Sequence, residues 1–99
     1  MRLTILGAGT ALPSPGRTAS GHLVQIGNTP LLCDICPGTI ARLAMAGVSY
    51  HDLEYVFITH LHSDHTLDLV TLLQANDSTP GWVRHRPLHL VGCQGTQQF

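Results

Sequence analysis

The chain has 99 residues, 43% hydrophobic and 11% charged, with five basic residues and a net charge of −1. Such a composition asks for a packed core and excludes a disordered tail. It also lacks the basic footprint of a non-specific nucleic-acid binder, although an enzyme that cuts a phosphodiester needs no such footprint.

The length allows at most one domain. "RLTIL" (2–6) is a short β-prone run that stops at Gly7. Gly7, Gly9 and Thr10 break this apolar segment too early for a signal peptide. No apolar run is long enough to span a bilayer, so the chain reads as cytoplasmic with no membrane partner. "GAGTAL" (7–12) begins like a dinucleotide-binding loop, but Leu12 holds the third glycine position and Pro13 follows. The better reading is a loop whose glycines let the backbone turn tightly.

"GHLVQIG" and "TPLLCDI" flank Gly27-Asn28, a two-residue hairpin signal. "PGTIARLAMAG" reads as a helix, with Thr39 as cap, Ile40, Leu43 and Ala44 on one face, and Gly47 just past its end. Ser49 and Asp52 suit a short capped turn. Tyr55 to Ile58 form a continuous apolar run, as in a strand buried on both faces. In "TLDLVTLLQAN", Leu69, Val70 and Leu73 lie at helical spacing, and Asp68 falls in the first turn, where the helix dipole favours an acid. "NDSTPGW" is a loop, "PLHLVG" a last strand, and Gly95-Thr96 a further helix start. Strand, hairpin, helix, strand, helix, strand is an α/β order with a sheet covered by helices.

The three cysteines, Cys33, Cys36 and Cys93, suit reduced thiols. Cys33-x-x-Cys36 lacks the second pair that a structural zinc site needs. A redox pair competes with a blander reading, in which Cys33 belongs to a buried strand and Cys36 is a small residue in a turn.

Three histidines and an aspartate fall within "HLHSDH" (60–65), directly after the apolar strand. In extended backbone, residues i and i+2 point to the same side. His60 and His62 therefore converge on one point, whereas on a helix they would diverge. Asp64 and His65 follow where the chain turns into the next helix, and can present an oxygen and a nitrogen to a second point. Imidazole and carboxylate are the ligands of Zn²⁺ and its first-row neighbours. Two such ions about 3.5–4 Å apart can share a water whose pKa drops to about 7. The competing reading, capping residues and solvated histidines in a loop, suits a lone histidine better than this cluster. His22 and His89 read as strand residues, His51 as exposed beside Asp52, and His85, between Arg84 and Arg86, as part of a small basic spot in a solvated loop.

His60-Leu61-His62-Ser63-Asp64-His65 resembles the H-x-H-x-D-H signature of the metallo-β-lactamase superfamily. The words "THLHSDH" are similar to its ribonuclease Z-like, tRNA 3′-processing branch, with arylsulfatase-like and phosphodiesterase relatives nearby. "LGAGTALPSPGRTASGHLVQIG", "CDICPGTIARLAMAGV" and "RPLHLVGCQGTQQF" resemble further segments of that branch, so the likeness covers nearly the whole chain.

The resemblance implies the N-terminal half of an αββα sandwich, a mixed sheet with helices on one face. His60 and His62 would ligate one metal, and Asp64 and His65 a second, with Asp64 also accepting a proton from the attacking water. Asp34 falls on the superfamily's first-motif aspartate, expected to support the metal-binding loop without binding metal. The implied cofactor is a pair of Zn²⁺ ions, with Mn²⁺ or Fe as substitutes. The implied function is a metal-dependent hydrolase, a phosphodiesterase or endoribonuclease acting on RNA or a small phosphodiester. An arylsulfatase, lactonase or thioesterase of the same fold is the alternative, with a sulfate ester among the substrates, as is a half-domain without activity.

Several positions depart from the branch. Cys36 replaces the first glycine of the Asp-x-Gly-x-Gly-Thr turn, and Pro37 stands where a glutamate is common. Asp68 replaces a glycine and Cys93 a proline. These departures favour a hydrolase side branch over a typical ribonuclease Z. The family completes its site with a later His, a bridging Asp and another His, which residues 1–99 do not supply. The chain is therefore expected to be a partial domain of a longer parent, itself expected to pair as a homodimer.

Overall fold

In the computed structural model, residues 1–9, 12, 20–81 and 86–98 are described. Five strands form one sheet in the order β1-β2-β3-β4-β5: β1 Arg2–Gly7, β2 Gly21–Ile26, β3 Thr29–Cys33, β4 Tyr55–Ile58 and β5 His89–Gly92. β1, β2 and β3 pair antiparallel, and β4 and β5 add on in parallel. The helices are α1 Thr39–Met45, the single turn α2 Ser63–Thr66, and α3 Asp68–Ser78. This is the mixed sheet with helices on one face that the sequence suggests.

Gly27 takes φ 59°, and Ile26 pairs with Thr29 across it, so the Gly27-Asn28 hairpin forms as read. Parallel strands need a crossover, and α1 provides the one from β3 to β4. α1 ends in a Schellman motif: the Val48 amide donates to Leu43, the Gly47 amide donates to Ala44, and Gly47 has φ 79°.

Strand alternation separates the two faces of the sheet. Leu23, Leu32 and Val56 lie in one register row and are fully buried, packed with Leu43, Leu53, Leu69 and Leu72. Each such side chain contributes about 1.5–3 kcal/mol by leaving water. The opposite face carries the rows Leu3, Val24, Leu31, Tyr55, His89 and Ile5, His22, Cys33, Phe57, Val91. On it Leu3 is 62% exposed, Ile5 63%, Phe57 36% and Val91 46%, an apolar surface with no described element over it.

The expectation of a strand buried on both faces is thus corrected. In β4 only Val56 and Ile58 are buried, because helices cover one face alone. The face of α3 also differs. Leu69 and Leu72 are buried, whereas Val70 and Leu73 are exposed. The cause is Asp68, whose Oδ2 accepts the Ile40 amide at 2.9 Å and so caps α1 from 28 residues away. Turning Asp68 inward fixes the rotation of α3, and residues 68, 69 and 72 share the inner face.

Thr39 is correspondingly not the cap. Gly38 holds that position at φ 89°, and the Thr39 hydroxyl bonds to Cys36 Sγ at 3.0 Å. α3 runs through Ser78, so Asn76, Asp77 and Ser78 of the expected loop are helical, and the Thr79 hydroxyl donates to the Ala75 carbonyl at the helix end. Thr79 also bonds to Tyr50 and His51, so His51 is half-buried rather than exposed. The further helix start at Gly95 is only a 3₁₀ turn, Thr96–Gln98. No helix among the described residues is long and apolar enough to cross a membrane.

Candidate metal centre

The end of β4 delivers the histidines. Asp34 and β4 are joined by the Asp34 amide, which donates to the Phe57 carbonyl at 2.7 Å. Beyond Ile58 the chain bends at Thr59, and His62, with φ −64° and ψ 149°, leads into α2. Asp64 and His65 therefore leave from the first helical turn, not from the strand. The His65 amide donates to the His62 carbonyl at 2.9 Å, folding the loop back on itself.

Asp34 anchors this loop from beneath. It is buried and adopts φ 65°, a left-handed conformation that aspartate tolerates better than most residues. Its Oδ1 accepts the Thr59 amide at 2.8 Å and the Thr59 hydroxyl at 3.0 Å. Its Oδ2 lies 2.7 Å from His65 Nδ1. Burial pushes the Asp34 carboxyl up, but the hydrogen bonds from Thr59 and His65 and the His65 charge outweigh it, and the group lies below its ordinary value. An ionised carboxylate only accepts, so His65 Nδ1 carries a proton.

In a neutral His65, Nε2 then bears a lone pair, and it stands 3.0 Å from Asp64 Oδ2. Two acceptors face each other there unless a proton or a cation lies between them. One ligand atom each of His60, His62 and Asp64 lies within 4.8 Å of the others. The His60 ring is 4.8 Å from that of His62 and 3.9 Å from that of His65. Zn–N bonds are about 2.0–2.1 Å, so ligand atoms this close can hold one ion or two neighbouring ions. The donor set of imidazole and carboxylate, half-open to solvent, fits a first-row divalent metal.

The structure thus brings His60, His62, Asp64 and His65 together, with Asp34 in hydrogen-bond contact behind them. The other histidines lie elsewhere. His22 is half-buried in β2, and His89 stacks on Tyr55 at 4.9 Å. His85 and Arg84 lie outside the described residues, and Arg86 of the expected basic spot pairs with Glu54. The Cys33 and Cys36 thiols form no disulfide; burial pushes both up, helped by the Asp34 charge at Cys33 and the Asp68 and Asp34 charges at Cys36, where the hydrogen bond with Thr39 opposes the rise. Two groups that matter are absent from the sequence-derived candidates. Thr59 supplies two donors to Asp34, and Asp68 ties α1 to α3. Thr59 directly precedes the histidine motif, which is its only signal in the sequence.

Residues 1–81 match the model of the family described as anti-Pycsar protein Apyc1. The chain belongs to this Apyc1 family. It is also a ribonuclease Z-like member of the metallo-β-lactamase superfamily. Ribonuclease Z of Pyrococcus horikoshii is 34% identical over 99 residues, which are all of this chain and 31% of the relative. Ribonuclease Z of Mycobacterium marinum is 35% identical over 98 residues, 99% of this chain and 35% of the relative. Among solved structures, human tRNase Z, short form, superposes with TM-score 0.82 at 32% identity over 98% of this chain and 37% of its own. The metallo-β-lactamase fold protein YhfI from Bacillus subtilis gives TM-score 0.84 at 29% identity over 98% of this chain and 40% of its own. The Apyc1-family chain thus spans about a third of the length of the curated relatives it matches.

Proposed function

We propose that residues 60–65 form the first part of a dinuclear metal site in a hydrolase of phosphodiesters. The carrying observation is the convergence of His60, His62 and Asp64 beside His65, whose Nε2 lies 3.0 Å from an Asp64 carboxylate oxygen. His60 and His62 would hold one ion, and Asp64 and His65 the other, with zinc the best match to the donor set. A bound pair supplies Lewis acidity and a water that ionises near neutral pH.

The chain's own residues do the rest. Asp64, with its side chain 22% exposed, accepts the proton that the attacking water gives up. Asp34 keeps His65 in one orientation and one tautomer through the Nδ1 hydrogen bond. The relatives named ribonuclease Z and tRNase Z support RNA as a substrate, with a small phosphodiester as the alternative. The free cysteines suit a reducing, cytoplasmic setting.

The 99 residues are, on this reading, a partial domain. Four candidate ligands over two ions leave two for each, fewer than the three protein ligands typical of catalytic zinc. The exposed face bearing Leu3, Ile5, Phe57 and Val91 is what a second sheet would cover. The isolated chain should therefore bind an apolar dye, associate in sedimentation, and fail to hydrolyse bis-p-nitrophenyl phosphate with added Zn²⁺ or Mn²⁺. A monomeric, dye-silent chain that turns over this ester would show a site complete within residues 1–99, contrary to the proposal.

A further inference from the structure

The Thr59 hydroxyl is within hydrogen-bond distance of three atoms: Asp34 Oδ1 at 3.0 Å, Asp34 Oδ2 at 2.9 Å and His60 Nδ1 at 3.1 Å. It has one proton to give and two lone pairs. An ionised Asp34 can only accept, so the hydroxyl proton lies toward the carboxylate. What remains to face His60 is a lone pair, and Nδ1 must carry a proton to use it. The proton on Nδ1 leaves the lone pair of a neutral His60 on Nε2, the nitrogen on the far side of the ring from Thr59.

We infer that Thr59 is a positioning residue that fixes the tautomer of His60, so that Asp34 orients two of the four candidate ligands, His65 directly and His60 through a hydroxyl. The inference deepens the reading of residues 60–65 as a metal site and rests on it. Three features suit threonine to this role. Its branched Cβ makes χ1 stiff. Its amide also donates to Asp34 Oδ1, at 2.8 Å, which anchors the backbone beside the hydroxyl. Its chain neighbour His60 needs no long reach. A valine would keep the shape and the amide bond but lose the relay, and a serine would keep the relay.

The test uses the metal-free 99-residue chain labelled with ¹⁵N, at a pH where the imidazoles are neutral. Long-range ¹H–¹⁵N correlation distinguishes a protonated ring nitrogen from an unprotonated one. His60 should be protonated at Nδ1 in the wild type and in Thr59→Ser, and should move mostly to the Nε2–H form in Thr59→Val. His65 should stay Nδ1–H in all three, which reports that the Asp34 contact survives. In the proposed full-length hydrolase, zinc affinity should fall about 10–100-fold in Thr59→Val and stay near wild type in Thr59→Ser.

If Thr59→Val loses the His65 signature through misfolding, the wild type and Thr59→Ser decide. A wild-type His60 in the Nε2–H form overturns the inference, as does an unchanged His60 in a folded Thr59→Val chain. The two readings fail separately. Zinc uptake with an Nε2–H His60 removes the Thr59 role and leaves the metal site. An Nδ1–H His60 in a full-length protein that takes up no zinc supports the relay and removes the metal reading.

Discussion

Asp34→Ala should cost the chain about 3–5 kcal/mol of folding stability, a large part of the roughly 5–15 kcal/mol that a domain possesses. Asp34 accepts from the Thr59 amide and hydroxyl and from His65 Nδ1, joining the end of β3 to the loop after β4. Alanine leaves a part-buried amide and a ring N–H without their acceptor, at up to about 1–3 kcal/mol each. It also places a Cβ-bearing residue without a local polar side chain at φ 65°, which adds about 1–2 kcal/mol.

Asp34→Asn should cost less, because asparagine tolerates that backbone and keeps one acceptor oxygen. It should also change the pH profile. The folded carboxyl lies below its ordinary value, so its contribution is fully present above the unfolded value near 3.8 and is lost as pH falls through the folded value. Urea unfolding of wild type and Asp34→Asn between neutral and strongly acidic pH should show this part of the acid limb in the wild type only. An Asp34→Ala chain as stable as wild type would mean that the carboxylate does not hold the loop.

In the proposed full-length hydrolase, His62→Ala or Asp64→Ala should lower phosphodiester hydrolysis by roughly 10³-fold or more, about 4 kcal/mol of transition-state stabilisation. Stability should barely move, by about 0.5 kcal/mol or less. His62 is exposed, stands before α2 and makes no side-chain cap hydrogen bond. The Asp64 side chain is partly open to solvent and pairs with His65. Loss of activity with an unchanged unfolding midpoint separates a ligand from a structural residue. Near-wild-type turnover with zinc present would contradict the assigned roles.

Local rules carried much of this molecule. Gly27-Asn28 announces its hairpin because few residues accept the turn's backbone. The run Tyr55 to Ile58 marks a strand, and the histidines follow directly in the loop at its end, where their rings come close together. The features that escaped are long-range. Burial of β4 on one face only depends on which neighbours cover it, and an apolar Phe57 reads the same exposed or buried. The inward turn of α3 depends on Asp68 meeting an amide 28 positions earlier, and no periodicity within α3 contains that partner. Asp34 is visible in a motif, but its left-handed backbone and its relay through Thr59 exist only once β3 and β4 are neighbours.

X-ray absorption at the zinc edge, on the proposed full-length hydrolase titrated with Zn²⁺, tests the metal reading most directly. The account predicts zinc bound by nitrogen and oxygen neighbours at about 2.0–2.1 Å with imidazole scattering, lost in a His60→Ala, His62→Ala double variant. Sulfur neighbours at about 2.3 Å, which would point to Cys33, Cys36 or Cys93 instead, or no bound zinc at all, would contradict it.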